Sequence, residues 1–88
     1  MGIQDRKKLA VLNDQIAIRI IKTLFRYPMR PSIIAHYLTM SDTQAVRKRL
    51  RDLYARGLIQ HQEDPGHRQA RLWSLTSEGE LLYERFLK

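Results

Sequence analysis

Apolar side chains recur at Leu9, Leu12, Ile16, Ala17, Ile20 and Leu24, at spacings that fall on one face of an α-helix. No Gly or Pro interrupts residues 4–27, so the pattern predicts one N-terminal helix along that stretch. A second apolar set, Ile18, Ile21 and Phe25, lies away from that face. Tyr27-Pro28-Met29-Arg30-Pro31 then ends the helix, because the residue before each proline is pushed out of helical conformation. Pro31 suits the first turn of a short second helix running to Leu38, with Ile34 and Leu38 four apart. Ser41 and Gln44 stand at capping-box spacing and predict a third helix over about residues 42–56. Val46, Leu50 and Leu53 form its apolar face, and Gly57 follows where a left-handed terminator is expected.

Beyond Gly57 the period changes. Leu58-Ile59-Gln60-His61-Gln62 and residues 69–75 read as two strands joined by the polar turn Glu63-Asp64-Pro65-Gly66-His67. In the second strand Ala70, Leu72 and Ser74 alternate with Arg71, Trp73 and Leu75, and period alone leaves the inward face open. Ser77 and Glu80, again at capping-box spacing, predict a last helix carrying Leu81, Leu82, Arg85 and Phe86. The order is three helices, a two-stranded hairpin and a C-terminal helix, with no internal repeat. It describes a mostly helical α+β domain of winged helix-turn-helix type spanning residues 1–88.

A chain of 88 residues supports one core, and 43% hydrophobic residues are enough to build it. The net charge of +7 favours a polyanionic partner, nucleic acid first and an anionic membrane second. The apolar runs are too short to span a bilayer, and the charged N-terminal residues are followed by no signal-peptide core. The absence of cysteine excludes disulfides, cysteine zinc sites and thiol nucleophiles. A cytoplasmic setting is expected, in a prokaryotic, phage or plasmid context.

With Val46, Leu50 and Leu53 turned to the core, the opposite side of the third helix carries Gln44, Lys48 and Arg51. Arg47 flanks that side and Thr43 lies in the first turn. Arg and Lys donate to guanine O6 and N7, Gln pairs with adenine, and Thr meets a thymine methyl or a phosphate. A basic run by itself is ordinarily a solvated helix face. Here it sits after a short helix and a tight turn and before a hairpin, the order in which a winged helix presents its reading helix.

Two motifs sharpen this. Leu50-Arg51-Asp52-Leu53-Tyr54-Ala55-Arg56-Gly57-Leu58-Ile59 has the spacing L-x-x-L-x-x-x-G-L-I, and Trp73-Ser74-Leu75-Thr76-Ser77-Glu78-Gly79 has an aromatic followed by x-L-T-x-x-G. Together they resemble winged-helix transcriptional regulators of the MarR, PadR and ArsR types. The resemblance implies binding of double-stranded DNA, with Thr43, Gln44, Arg47, Lys48 and Arg51 towards the major groove and His67 and Arg68 at the wing tip. It also implies an approach of Arg68 to a minor groove. Glu63 and Asp64 put negative charge beside that tip, so the wing either contacts DNA through Arg68 and Arg71 only or contributes weakly.

His36, His61 and His67 fall on different elements without converging carboxylates, so no metal is expected, and no cofactor. Trp73 and Tyr37 are assigned to structural support. No nucleophile with a base, carboxylate pair or phosphate loop occurs, and an enzyme is not expected. Ile18, Ile21 and Phe25, with Tyr83 and Leu87 on the last helix, form an apolar stripe that predicts a homodimer. Two reading helices about a two-fold axis would then recognise an imperfect palindrome, most simply as a repressor. The alternative is a winged helix used for protein docking or in a replication or plasmid-maintenance complex.

Overall fold

The computed structural model describes residues 6–88, with the side chains of Lys7 and of residues 67–70 outside that description. The N-terminal stretch is divided at Asp14. Helix α1 (Arg6–Leu9) passes into a 3-10 turn (Ala10–Asn13), and α2 (Gln15–Arg26) begins afresh after it. Asp14 is extended, and its Oδ1 accepts hydrogen bonds from the backbone N–H groups of Ile16 (3.0 Å) and Ala17 (3.3 Å). The single helix expected over residues 4–27 is therefore two. An aspartate that satisfies two orphan N–H groups favours a start over a continuation.

The change of direction brings Val11 into the core while Leu9, Leu12 and Ile16 pack against its margin. On α2 the buried side chains are Ala17, Ile20, Ile21 and Leu24. Ile21, expected on an outer apolar stripe, is fully buried within the single chain. Ala17, Ile20, Ile21 and Leu24 stand at i, i+3, i+4 and i+7, so Ile21 belongs to the inward face against which α3, α4 and the hairpin pack.

Helix α3 (Pro31–Tyr37) has Pro31 in its first turn and buries Ile34 and Ala35. The turn to α4 is closed by hydrogen bonds from Thr39 N–H to the His36 carbonyl and from Met40 N–H to the Ala35 carbonyl. Thr39 takes a left-handed φ of 55° there. Helix α4 (Thr43–Ala55) is capped by Asp42 rather than Ser41. Its Oδ1 accepts from Gln44 N–H (2.9 Å) and Ala45 N–H (3.4 Å). The helix ends as expected at Gly57, whose φ is 77°. Leu58 N–H bonds to the Leu53 carbonyl and Gly57 N–H to that of Tyr54, the paired pattern of a glycine-terminated helix.

Strands β1 (Ile59–Asp64) and β2 (His67–Leu75) pair antiparallel, Ile59 with Leu75 and His61 with Trp73, with an irregularity between Glu63 and Asp64. Ile59, Trp73 and Leu75 are buried, which resolves the inward face of β2 as that of Arg71, Trp73 and Leu75. Met29, inside the proline-flanked segment expected only to break a helix, exchanges two backbone hydrogen bonds with Trp73 (2.9 and 2.8 Å). It adds a one-residue bridge to the hairpin edge. Helix α5 (Ser77–Leu82) is capped by Thr76, one residue before the expected Ser77, and runs into a π-helical turn (Tyr83–Leu87). Thr76 Oγ1 accepts from Gly79 N–H and donates to the Gly57 carbonyl, tying the start of α5 to the end of α4.

Candidate nucleic-acid interface

Helix α4 is amphipathic in the sense the spacing requires. Val46, Leu50 and Leu53 are buried, while Gln44, Arg47, Lys48 and Arg51 are exposed and Thr43 is half-buried in the first turn. Its basic residues divide into two groups. Arg49 turns back towards α2, where its Nε lies 3.4 Å from Asp14 Oδ2, and Arg56 Nε lies 3.0 Å from Asp52 Oδ2. Arg47, Lys48 and Arg51 stand on the outer side. Asp14 thus caps α2 and orients α4 with the same carboxylate.

The hairpin meets α4 through three rings. Tyr54 lies 5.0 Å from His61 and 5.9 Å from Trp73 between ring centroids, and His61 lies 4.8 Å from Trp73 in an edge-on arrangement. Arg71 Nη1 is 3.1 Å from His61 Nε2. A guanidinium only donates, so His61 Nε2 is the acceptor in this contact. Strand alternation puts Arg71 on the same hairpin face as buried Trp73 and Leu75. Arg47, Arg51 and Tyr54 follow one another at helical spacing. A path of side chains therefore runs from the outer face of α4, over Tyr54 and His61, to Arg71 on the wing. Sequence reading did not single out Tyr54 or assign His61 a role. The spacing of Tyr54 from Arg47 and Arg51 was the available signal, but the cross-strand pairing with Trp73 required the register.

At the hairpin tip, Asp64 Oδ1 accepts from Gly66 N–H (2.9 Å), and its Oδ2 lies 3.5 Å from Arg30 Nε at the start of α3. The acidic residue beside the tip is thus directed to the turn and to α3. Glu63 stands opposite Arg71 in the ladder. The expectations for His67 and Arg68 fall on side chains outside the described residues.

On the far side, Phe25 and Tyr83 stack with centroids 3.8 Å apart and planes 20° from parallel. With Lys22, Thr23, Arg26, Tyr37 and Leu87 they line an open groove between α2, α3 and the C-terminal turn. Phe25, Tyr83 and Leu87 of the expected apolar stripe are brought together, Ile18 is half-buried on α2, and Phe86 is 49% exposed. Tyr37, expected as structural support, is half-exposed. Its hydroxyl bonds to that of Tyr27 (2.9 Å), and this hydrogen bond is the main cause raising the Tyr37 pKa above its ordinary value.

No family model and no curated protein matches the sequence. Solved structures do match. A single-site mutant of Lactococcus lactis ZitR, a zinc-responsive MarR family member, superposes with a TM-score of 0.69 at 26% identity, over 74% of this chain and 44% of that one. The fold is the MarR-type winged helix. The transcriptional regulator Tm0710 of Thermotoga maritima matches at a TM-score of 0.76 and 24% identity, covering 89% of this chain and 60% of its own. The regulator YodB of B. subtilis gives 0.80 at 22%, covering 98% and 84%. The chain spans roughly half the length of the first two structures. In winged-helix terms α3, the Thr39 turn and α4 form the helix-turn-helix, β1 and β2 form the wing, and Met29 is the short third strand.

Proposed function

We propose that the protein is a transcriptional regulator that binds double-stranded DNA, with α4 in the major groove and the wing against the backbone or minor groove. The observation that carries this reading is the outer face of α4: Gln44, Arg47, Lys48 and Arg51 are exposed together while the opposite face is core. Arg47 and Arg51 suit bidentate contact with guanine, Gln44 with adenine, and Lys48 and Thr43 suit phosphates. Arg71 extends the contact from the wing, with His67 and Arg68 beyond it. The protein acts as a cytoplasmic repressor, occluding its site without catalysing a reaction.

The second element of the proposal is a homodimer formed through the faces of α2 and the C-terminal turn that carry Ile18, Phe25, Tyr83 and Leu87. Ile21 contributes to the core instead. Two α4 helices related by a two-fold axis read half-sites about one DNA turn apart, so the site is an imperfect palindrome. Selection from a random duplex pool tests this. Recovery of a palindromic sequence is expected, and a pool left unenriched would contradict sequence-specific reading.

A further inference from the structure

We propose that His61 is a positioning residue for Arg71, its Nε2 accepting from the guanidinium and holding it at the wing. The proposal rests on the DNA-binding reading and deepens it by naming the residue that places the wing contact.

The geometry has three parts. Arg71 Nη1 and His61 Nε2 are 3.1 Å apart, and only a neutral imidazole with its proton on Nδ1 offers Nε2 as an acceptor. The imidazole plane is itself fixed, with Tyr54 of α4 on one side and Trp73 of β2 on another. Arg71 lies on the hairpin face shared with Trp73, continuous with the stripe of Arg47 and Arg51 on α4. Among the described residues, the groups that face His61 are Tyr54 from α4 and Arg71 and Trp73 from β2. Glu63 lies across the ladder from Arg71. Without this acceptor Arg71 is left with the mobility of an exposed side chain.

Two measurements test the latch. In the free protein, long-range nitrogen–proton NMR correlations are expected to show neutral His61 protonated on Nδ1 in the wild type and on Nε2 in Arg71→Ala. Nε2 protonation in the wild type would overturn the proposal without any reference to DNA. In anisotropy titrations with a random-sequence duplex at about pH 8, His61→Ala is expected to weaken binding roughly three- to tenfold. Arg71→Ala should cost the same, and the double variant no more than either, since the two residues act as one unit. His61→Gln supplies an amide oxygen as the acceptor and is expected to restore binding to within about twofold of the wild type. A loss in His61→Gln as large as that in His61→Ala would overturn the proposal. Arg47→Ala/Lys48→Ala serves as the control for the underlying reading. If that variant binds as well as the wild type, the DNA reading itself fails, and the latch falls with it even where the NMR arm shows the contact.

Discussion

At Gly79 a Cβ would overlap the carbonyl oxygen of Leu58, part of the backbone that joins α4 to the hairpin. Neither partner is the movable end of a side chain, so Gly79→Ala is expected to cost about 2–3 kcal/mol in urea unfolding. An unchanged midpoint would contradict this packing. Thr39 is the converse case, a β-branched residue at φ 55° in the turn between α3 and α4. Glycine removes the left-handed penalty at some cost in unfolded-state entropy, and Thr39→Gly is expected to gain about 0.5–1 kcal/mol. A lower urea midpoint would show that the threonine is needed there. The glycines of the L-x-x-L-x-x-x-G-L-I and x-L-T-x-x-G motifs were both legible in the sequence as punctuation. The reason for Gly79, a close approach of two distant backbones, was not, because only the fold brings Leu58 to it. The cap residues of α4 and α5 were legible to within one position. Ser41-Asp42-Thr43 and Thr76-Ser77 each offer adjacent capping groups, and the backbone turn chooses among them.

Among the elements, α2 and α4 are coupled through one carboxylate. Asp14 caps α2 with Oδ1 and meets Arg49 of α4 with Oδ2. Asp14→Asn keeps the capping oxygen and is expected to lose less than about 0.5 kcal/mol, since the ion pair is partly solvated. Asp14→Ala removes the cap and is expected to lose about 1–2 kcal/mol by the same urea measurement. Equal losses would assign the stability to the ion pair instead. The break at Asp14 was hidden because the apolar spacing of Leu9, Leu12 and Ile16 continues through it as though the helix did. The helix-turn-helix was legible because Pro31 and Gly57 bracket it and Val46, Leu50 and Leu53 carry an undisturbed helical period. The Met29 bridge had no comparable signal. A bridge of one residue, in the two-residue stretch between Pro28 and Pro31, carries no alternation, and its pairing depends on where Trp73 lands.

For the molecule as a whole, of net charge +7, the basic residues of α4 and its end do not all face one way. Arg49 and Arg56 are turned to carboxylates, whereas Arg47, Lys48 and Arg51 face outward. The outward set was legible from the wheel alone, since the buried face of one helix fixes its opposite. The apolar stripe was legible only in part, because Ile21 stands at helical spacing from Ala17 and Leu24 and shares their buried face once α2 starts at Asp14. Light scattering at micromolar concentration is expected to give twice the chain mass, and Leu87→Glu to return it to that of one chain. A wild-type monomer would contradict the paired half-sites. The central claim is that the outer face of α4 reads DNA, and it is tested most directly by anisotropy titration of a selected duplex at several salt concentrations. Arg47→Ala/Lys48→Ala is expected to bind at least about tenfold more weakly than the wild type, with a shallower salt dependence. Equal affinity and equal salt dependence in the two proteins would show that this face is merely solvated.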